Sequence, residues 1–249
     1  MQQKIVLTKN LARLSDASEM LLRRAPGLPG MGLVHGETGT GKTTAVAWMT
    51  NRYHGVYVRA LAAWTPSAMF GAILRELGRH AHGSCAQMMT DIVEALSLSG
   101  RPVFIDEADY LVDNKRMSES LRDIHDLTTV PVLLVGMAGI DQRLSARKQL
   151  TGRVLQDVHF EALDREDAKA IAKQLCDVSV AADLLDGMHR ATGGYVRNLV
   201  VALARVEEYA KSRGMDKIDA NAWGKRSFIT GEAPHRKPAL HVVPEGSMA

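Results

Sequence analysis

The sequence predicts an α/β chain in which a doubly wound, parallel, five-stranded sheet is followed by a small helical unit. Three observations carry this expectation. From Met31 onward short apolar runs alternate with stretches of helical period, the pattern of a parallel sheet covered by helices. A glycine-rich loop stands directly between the first apolar run and a helix. After Phe160 the strand signals stop, while helical periodicity continues.

The expected strands are the apolar runs at 31–35, 56–59, 102–106, 130–136 and 155–160. Between them, Met69, Phe70, Ile73, Leu74 and Leu77 line one helix face, and Met88, Met89, Ile92, Val93 and Leu96 line another. Asp164, with Asp167 three residues later, opens the first helix of the second unit, whose apolar side is Ala168, Ile171, Ala172 and Leu175. Val196, Leu199, Val200, Leu203 and Val206 mark the best of the helices that follow. The expected boundaries are an α/β domain at 1–162, a helical domain at 163–227 and a loose tail at 228–249. In that tail Gly231, Pro234, Pro238, Pro244 and Gly246 interrupt any period.

Length and composition bound the function classes. With 249 residues, 46% of them hydrophobic and 24% charged, the chain can bury a substantial core. Thirty-one Lys and Arg against 28 Asp and Glu give +3, and the arm up to residue 35 carries all of it. That arm has Lys4, Lys9, Arg13, Arg23 and Arg24 against Asp16 and Glu19. Two cysteines, Cys85 and Cys176, form neither a disulfide framework nor a metal-ligand spacing. No run of 18 apolar residues occurs and the N-terminus begins with polar residues, so a cytoplasmic protein without a membrane partner is expected.

The chemistry concentrates in two motifs. The loop Gly36-Glu37-Thr38-Gly39-Thr40-Gly41-Lys42-Thr43 precedes the expected helix at 44–49. Its glycines let backbone N–H groups wrap phosphate oxygens, and the helix presents its N-terminus to the same anion. Lys42 then reaches the β and γ phosphates of ATP, and Thr43 offers its hydroxyl to Mg²⁺, with Thr44 next in the loop. About sixty residues on, Val103-Phe104-Ile105-Asp106-Glu107 ends an apolar strand in two carboxylates. Asp106 suits Mg²⁺ coordination, and Glu107 can orient and deprotonate an attacking water.

With a phosphate loop, an Asp-Glu strand end and an all-helical C-terminal piece, the chain resembles the P-loop AAA+ ATPases, with a helical lid domain. More particularly, Ile105-Asp106-Glu107-Ala108-Asp109-Tyr110-Leu111, Thr65-Pro66-Ser67 and Leu133-Leu134-Val135-Gly136 resemble the B transposition proteins of Mu-like phages and their transposon relatives. That resemblance implies an ATPase that assembles on double-stranded DNA as a filament or ring, selects target DNA and activates a transposase, in a bacterial host cell. A helicase-loader-like protein, or a P-loop switch with another client, stands as the alternative. The AAA+ pattern further implies that Arg197 is the sensor-2 arginine and that Arg153 is the finger offered to a neighbouring subunit, with Arg143 and Arg147 near enough to compete. Val6 and Leu7, ahead of the first strand, are implied to pack on adenine. One departure stands out: the strand that usually ends in a polar sensor residue ends here in Gly136-Met137, and a thioether orients water poorly. Slow intrinsic hydrolysis is expected.

By the same analogy the DNA-facing loops follow the second strand and the Asp-Glu strand. They hold Arg59, Trp64 and Thr65, and Asn114, Lys115 and Arg116. Lys225, Arg226, Arg236 and Lys237 near the C-terminus are further basic candidates for DNA or transposase contact. Sequence-blind DNA contact asks only for a local cationic patch repeated along an assembly, so the near-neutral total is compatible with it.

Overall fold

The computed structural model describes residues 1–2 and 4–229. In chain order α1 (Lys9–Leu22) is followed by β1 (Met31–Gly36), α2 (Lys42–Arg52), β2 (Val56–Arg59), α3 (Pro66–Glu76) and α4 (Cys85–Ser99). Next come β3 (Val103–Asp106), α5 (Asp109–Val112), α6 (Lys115–Thr128), β4 (Val132–Val135), α7 (Ile140–Ser145), α8 (Lys148–Thr151) and β5 (Val154–Phe160). The remainder is α9 (Arg165–Leu175), β6 (Ser179–Val180), α10 (Ala182–Thr192), α11 (Val196–Lys211), β7 (Lys217–Ile218) and α12 (Ala220–Trp223).

The five long strands form one parallel sheet in the order β2-β3-β4-β1-β5. β1, β3 and β4 are apolar on both faces, as strands covered on two sides must be. On one face Leu33, Ile105 and Leu134 pack with Phe70, Ile73, Ile92, Leu121 and Ile124 of α3, α4 and α6. On the other, Val34, Phe104, Leu133 and Phe160 pack with Leu14 and Leu21 of α1 and Val46 and Met49 of α2. A third apolar cluster, with Leu163, Ile171, Met188, Leu199, Leu203 and Val206, joins α9, α10 and α11. Thr8, Thr65, Ser84, Asn114, Asp164 and Asp219 cap their helices through side-chain oxygens.

Local boundaries differ from the sequence expectation in instructive ways. The helix after the phosphate loop begins at Lys42 rather than at 44, because Gly41, at φ 94°, closes the loop and caps the helix at once. β3 and β4 start after Pro102 and Pro131, which accept hydrogen bonds from Val56 and Val103 but have no N–H to give. Strand structure does not stop at Phe160: β6 and β7 form a two-residue parallel pair within the helical unit, too short to leave an alternating pattern. Phe228, expected at the start of a loose tail, stacks on Trp223 at 5.7 Å with the rings 8° apart. Arg236 and Lys237, named above as basic candidates, lie outside the described residues.

Candidate nucleotide site

β1 sits between β4 and β5, so the loop that follows it opens at the sheet's C-terminal edge, flanked by a strand on either side. Gly36 holds φ 148°, and a Cβ there would fall 2.2 Å from the Phe160 carbonyl oxygen, so no side chain fits. The first turn of α2 carries no acidic residue, which leaves its positive end for an anion. The Lys42 ammonium folds back over the loop, donating to the carbonyl oxygens of Gly36 at 2.6 Å and Glu37 at 2.9 Å. Burial lowers the Lys42 pKa, and the Asp106 carboxylate opposes that shift.

Asp106 ends β3 and is 3% exposed. Its Oδ2 accepts from the Thr43 hydroxyl at 3.0 Å and from the Tyr57 phenol at 3.0 Å, while Oδ1 accepts from the Glu107 amide at 3.0 Å. Burial, with Asp106 beside it, pushes the Tyr57 phenol well above its ordinary pKa, so it is a fixed donor to the carboxylate. Glu107 adopts φ 54°, a left-handed conformation that a non-glycine residue takes only against local strain. That turn brings its carboxylate back over the strand ends, where Arg59 Nη2 meets Oε1 at 3.0 Å. The parallel register that sets Arg59 opposite Asp106 makes the meeting possible.

A cleft of about 410 Å³ gathers these groups: Lys42, Thr43, Asp106, Glu107, Met137 and Arg197 all line it. Arg197, in the first turn of α11, is exposed, and its backbone N–H donates to the Gly39 carbonyl at 3.1 Å. The helical unit is thereby tied to the phosphate loop. Met137, two residues beyond β4, lines the cleft, and its N–H donates to Asp109 Oδ2 at 2.9 Å. A second, more apolar cleft of about 220 Å³ continues from Gly41 and Thr44 and is lined by Ile5, Val6, Phe160, Leu175 and Val200.

Several expected site residues stand elsewhere. Leu7 does not line the apolar cleft: its side chain is 66% exposed, and Ile5 lies beside Val6 instead. Arg59 turns its guanidinium to Glu107 rather than outward. Trp64 packs against the core beneath α3, and the Thr65 hydroxyl caps that helix. Arg153 stands just before β5, at the opposite edge of the sheet from Lys42, held by Asp126 at 2.8 Å and 3.1 Å. It cannot serve its own chain's cleft. Arg143 pairs with Asp109 and Asp113, and Arg147 binds the carbonyls of Val112 and Asp113. Lys115 and Arg116 are exposed, as a DNA-facing role requires. Arg226 lies over the Tyr209 ring at 4.3 Å, so it serves the packing of the helical unit.

Sequence reasoning missed Tyr57. Its signal was available: Tyr57 and Arg59 alternate onto one side of β2, next to the strand that ends in Asp106.

Comparisons with known proteins give the same fold. The family model described as AAA domain matches residues 25–144. The Orc1 protein of Aeropyrum pernix, solved in complex with DNA, is similar at a TM-score of 0.63 and 20% identity, over 86% of this chain and 63% of that one. Cdc6p of Pyrobaculum aerophilum gives 0.64 and 19%, over 84% and 63%. The chain thus spans less than two thirds of the length of these two. The chain has the P-loop AAA+ fold. RuvB of Thermotoga maritima, a Holliday junction branch migration motor, shares this AAA+ fold with a TM-score of 0.60 and 22% identity, over 87% of this chain and 67% of that one. No curated protein gives a significant match.

Among the described residues no cluster of three His, Cys, Asp or Glu side chains could hold a metal unaided. A nucleotide-bound Mg²⁺ takes few protein ligands and completes its shell from phosphates and water. The Thr43 hydroxyl and Asp106 carboxylate, already 3.0 Å apart, fit that donor set. No described helix is long and apolar enough to cross a membrane.

Proposed function

We propose that this AAA+ chain is an ATP-dependent, sequence-blind DNA-binding ATPase that assembles on DNA, selects target DNA and activates a transposase. The observation that carries the ATPase part is the convergence of Lys42, Thr43, Asp106, Glu107 and Arg197 on one cleft bordered by the helical unit. Lys42 leaves the carbonyls of its own loop for the β and γ phosphates of ATP. Thr43 and Asp106 would hold Mg²⁺, which would supply positive charge against the phosphates. Glu107 receives the proton of the attacking water, and Arg197 carries the γ-phosphate state into α11.

In the free chain Arg59 occupies one oxygen of Glu107, which, with Met137 in place of a polar group, favours slow turnover. Arg153, remote from its own cleft, is the residue offered to a neighbour's nucleotide once its bond to Asp126 opens. An arginine supplied in trans is worth several powers of ten in rate, so assembly switches hydrolysis on. The DNA reading draws on Lys115 and Arg116 and on the DNA setting of the Orc1 and RuvB structures; the transposition client rests on the resemblance in the 105–111 and 133–136 segments.

The test is DNA binding by the full chain with ATP, ADP or no nucleotide across a range of salt. ATP-dependent, sequence-blind binding that weakens with salt is expected, along with filaments or rings by electron microscopy. Absence of binding in every nucleotide state refutes the DNA reading. Stimulation of an integrase-type transposase encoded beside this gene tests the client.

A further inference from the structure

Away from the nucleotide cleft, a second polar cleft of about 390 Å³ opens between the first half of α6 and residues 146–150. Four cations, Lys115, Arg122, Arg147 and Lys148, face one carboxylate, Glu119. Their manner of neutralisation sets them apart from most of the basic surface. Elsewhere Arg13, Arg79, Arg153 and Arg165 close on carboxylates of distant segments. In this cleft Arg147 spends its guanidinium on two main-chain carbonyls, Val112 O at 3.1 Å and Asp113 O at 3.0 Å. Those bonds fix its position and leave its charge uncompensated. Lys115 reaches Glu119 only at 3.8 Å and is 73% exposed, and Arg122 leans on its own neighbour Asp123. Lys148 has no ion-pair partner among the described residues, and Asp113, whose carbonyl Arg147 holds, gives its carboxylate to Arg143.

We propose that this cleft is a phosphodiester-binding site that seats the backbone of duplex DNA. The inference rests on the DNA-binding reading above and names the surface that carries it. A free nucleotide needs an apolar slot for its base, such as Phe160 and Val200 provide beside the phosphate loop; here seven of the nine lining residues are polar or charged, Ala146 and Leu150 being the exceptions. Cations spread over two facing walls suit a chain of phosphates, and contacts from Lys and Arg to phosphate carry no sequence information. Arg147 also ties the cleft to the site, because the carbonyls it holds end α5, which starts two residues beyond Glu107.

The test is a Lys115→Glu/Lys148→Glu double variant of the full chain, titrated with ATP against a labelled duplex of arbitrary sequence at several salt concentrations. A fall in affinity of about tenfold or more is expected, with the slope of log affinity against log salt shallower by about 2, close to 0.9 per lost phosphate contact. Lys169→Glu/Lys173→Glu, the same charge change on exposed positions of α9, should leave both quantities unchanged. Unaltered affinity and slope in the cleft variant overturn this proposal and leave the DNA reading standing. No binding by the unsubstituted chain in any nucleotide state overturns the reading and the proposal together. Loss of ATP-dependent self-association without DNA, followed by sedimentation, assigns the cleft to a subunit contact and overturns it as well. Both altered side chains are exposed, so a thermal melt that matches the parent establishes that the variant is folded.

Discussion

Arg59 and Glu107 form an ion pair at 3.0 Å across the C-terminal ends of β2 and β3, and it engages the carboxylate proposed above to activate water. Half-exposed pairs of this kind are worth about 0.2–1 kcal/mol. Arg59→Ala should therefore raise DNA-free ATP turnover by about 1.4- to fivefold, the rate equivalent of that range. Phosphate release at saturating ATP is the measurement, and a rate equal to or below the parent's contradicts the restraining role.

Glu107→Gln keeps the side-chain volume and removes the base. Hydrolysis should fall by about 10²–10⁴-fold, while ATP affinity persists, so ATP-dependent assemblies become long-lived. Lys42→Ala should lose ATP-dependent assembly outright. Dissociation kinetics after ATP dilution separate the two, and parent-like decay of the Glu107→Gln assembly refutes Glu107 as the base.

Tyr57→Phe removes one of the two hydroxyl donors on Asp106 Oδ2. Partners of this kind to a metal-binding group are worth about 10–100-fold in metal affinity or activity. Fluorescent-nucleotide titrations should show a weakened Mg²⁺ dependence of binding with nearly unchanged affinity in EDTA. An equal loss in both conditions would point to a general packing defect.

His125 is buried beneath the sheet edge with Nδ1 2.8 Å from the Val130 carbonyl, and burial pushes its imidazole pKa below the ordinary value. The unfolded chain then takes up a proton more readily than the native one, so stability is full above about pH 6.5 and declines as pH falls through that value. Melting temperatures between pH 7.5 and 5.5 should drop less steeply in His125→Asn than in the parent. Identical slopes would exclude His125 as the source.

The sheet was legible because its strands are local facts: apolar runs such as Val103-Phe104-Ile105 end in residues whose chemistry is visible in place. The loop from Gly36 to Thr43 was legible for the same reason. What the sequence hid is pairwise and distant. Arg59 and Glu107 are 48 positions apart, and only the β2–β3 register brings them together. Arg153 and Asp126, 27 apart, meet because α6 and the start of β5 end at the same sheet edge. Leu7 had the right type for a base contact and the wrong direction, which local pattern does not specify in an irregular arm.

The hydrogen bond from the Arg197 amide to the Gly39 carbonyl bears on how the molecule tolerates change. A signalling contact made by side chains can be deleted by one substitution. This one is made of main chain at both ends, so the link between loop and α11 survives replacement of either residue's chemistry; at position 197 only proline removes the donor. Replacing the arginine side chain therefore leaves the phosphate loop tied to the start of α11.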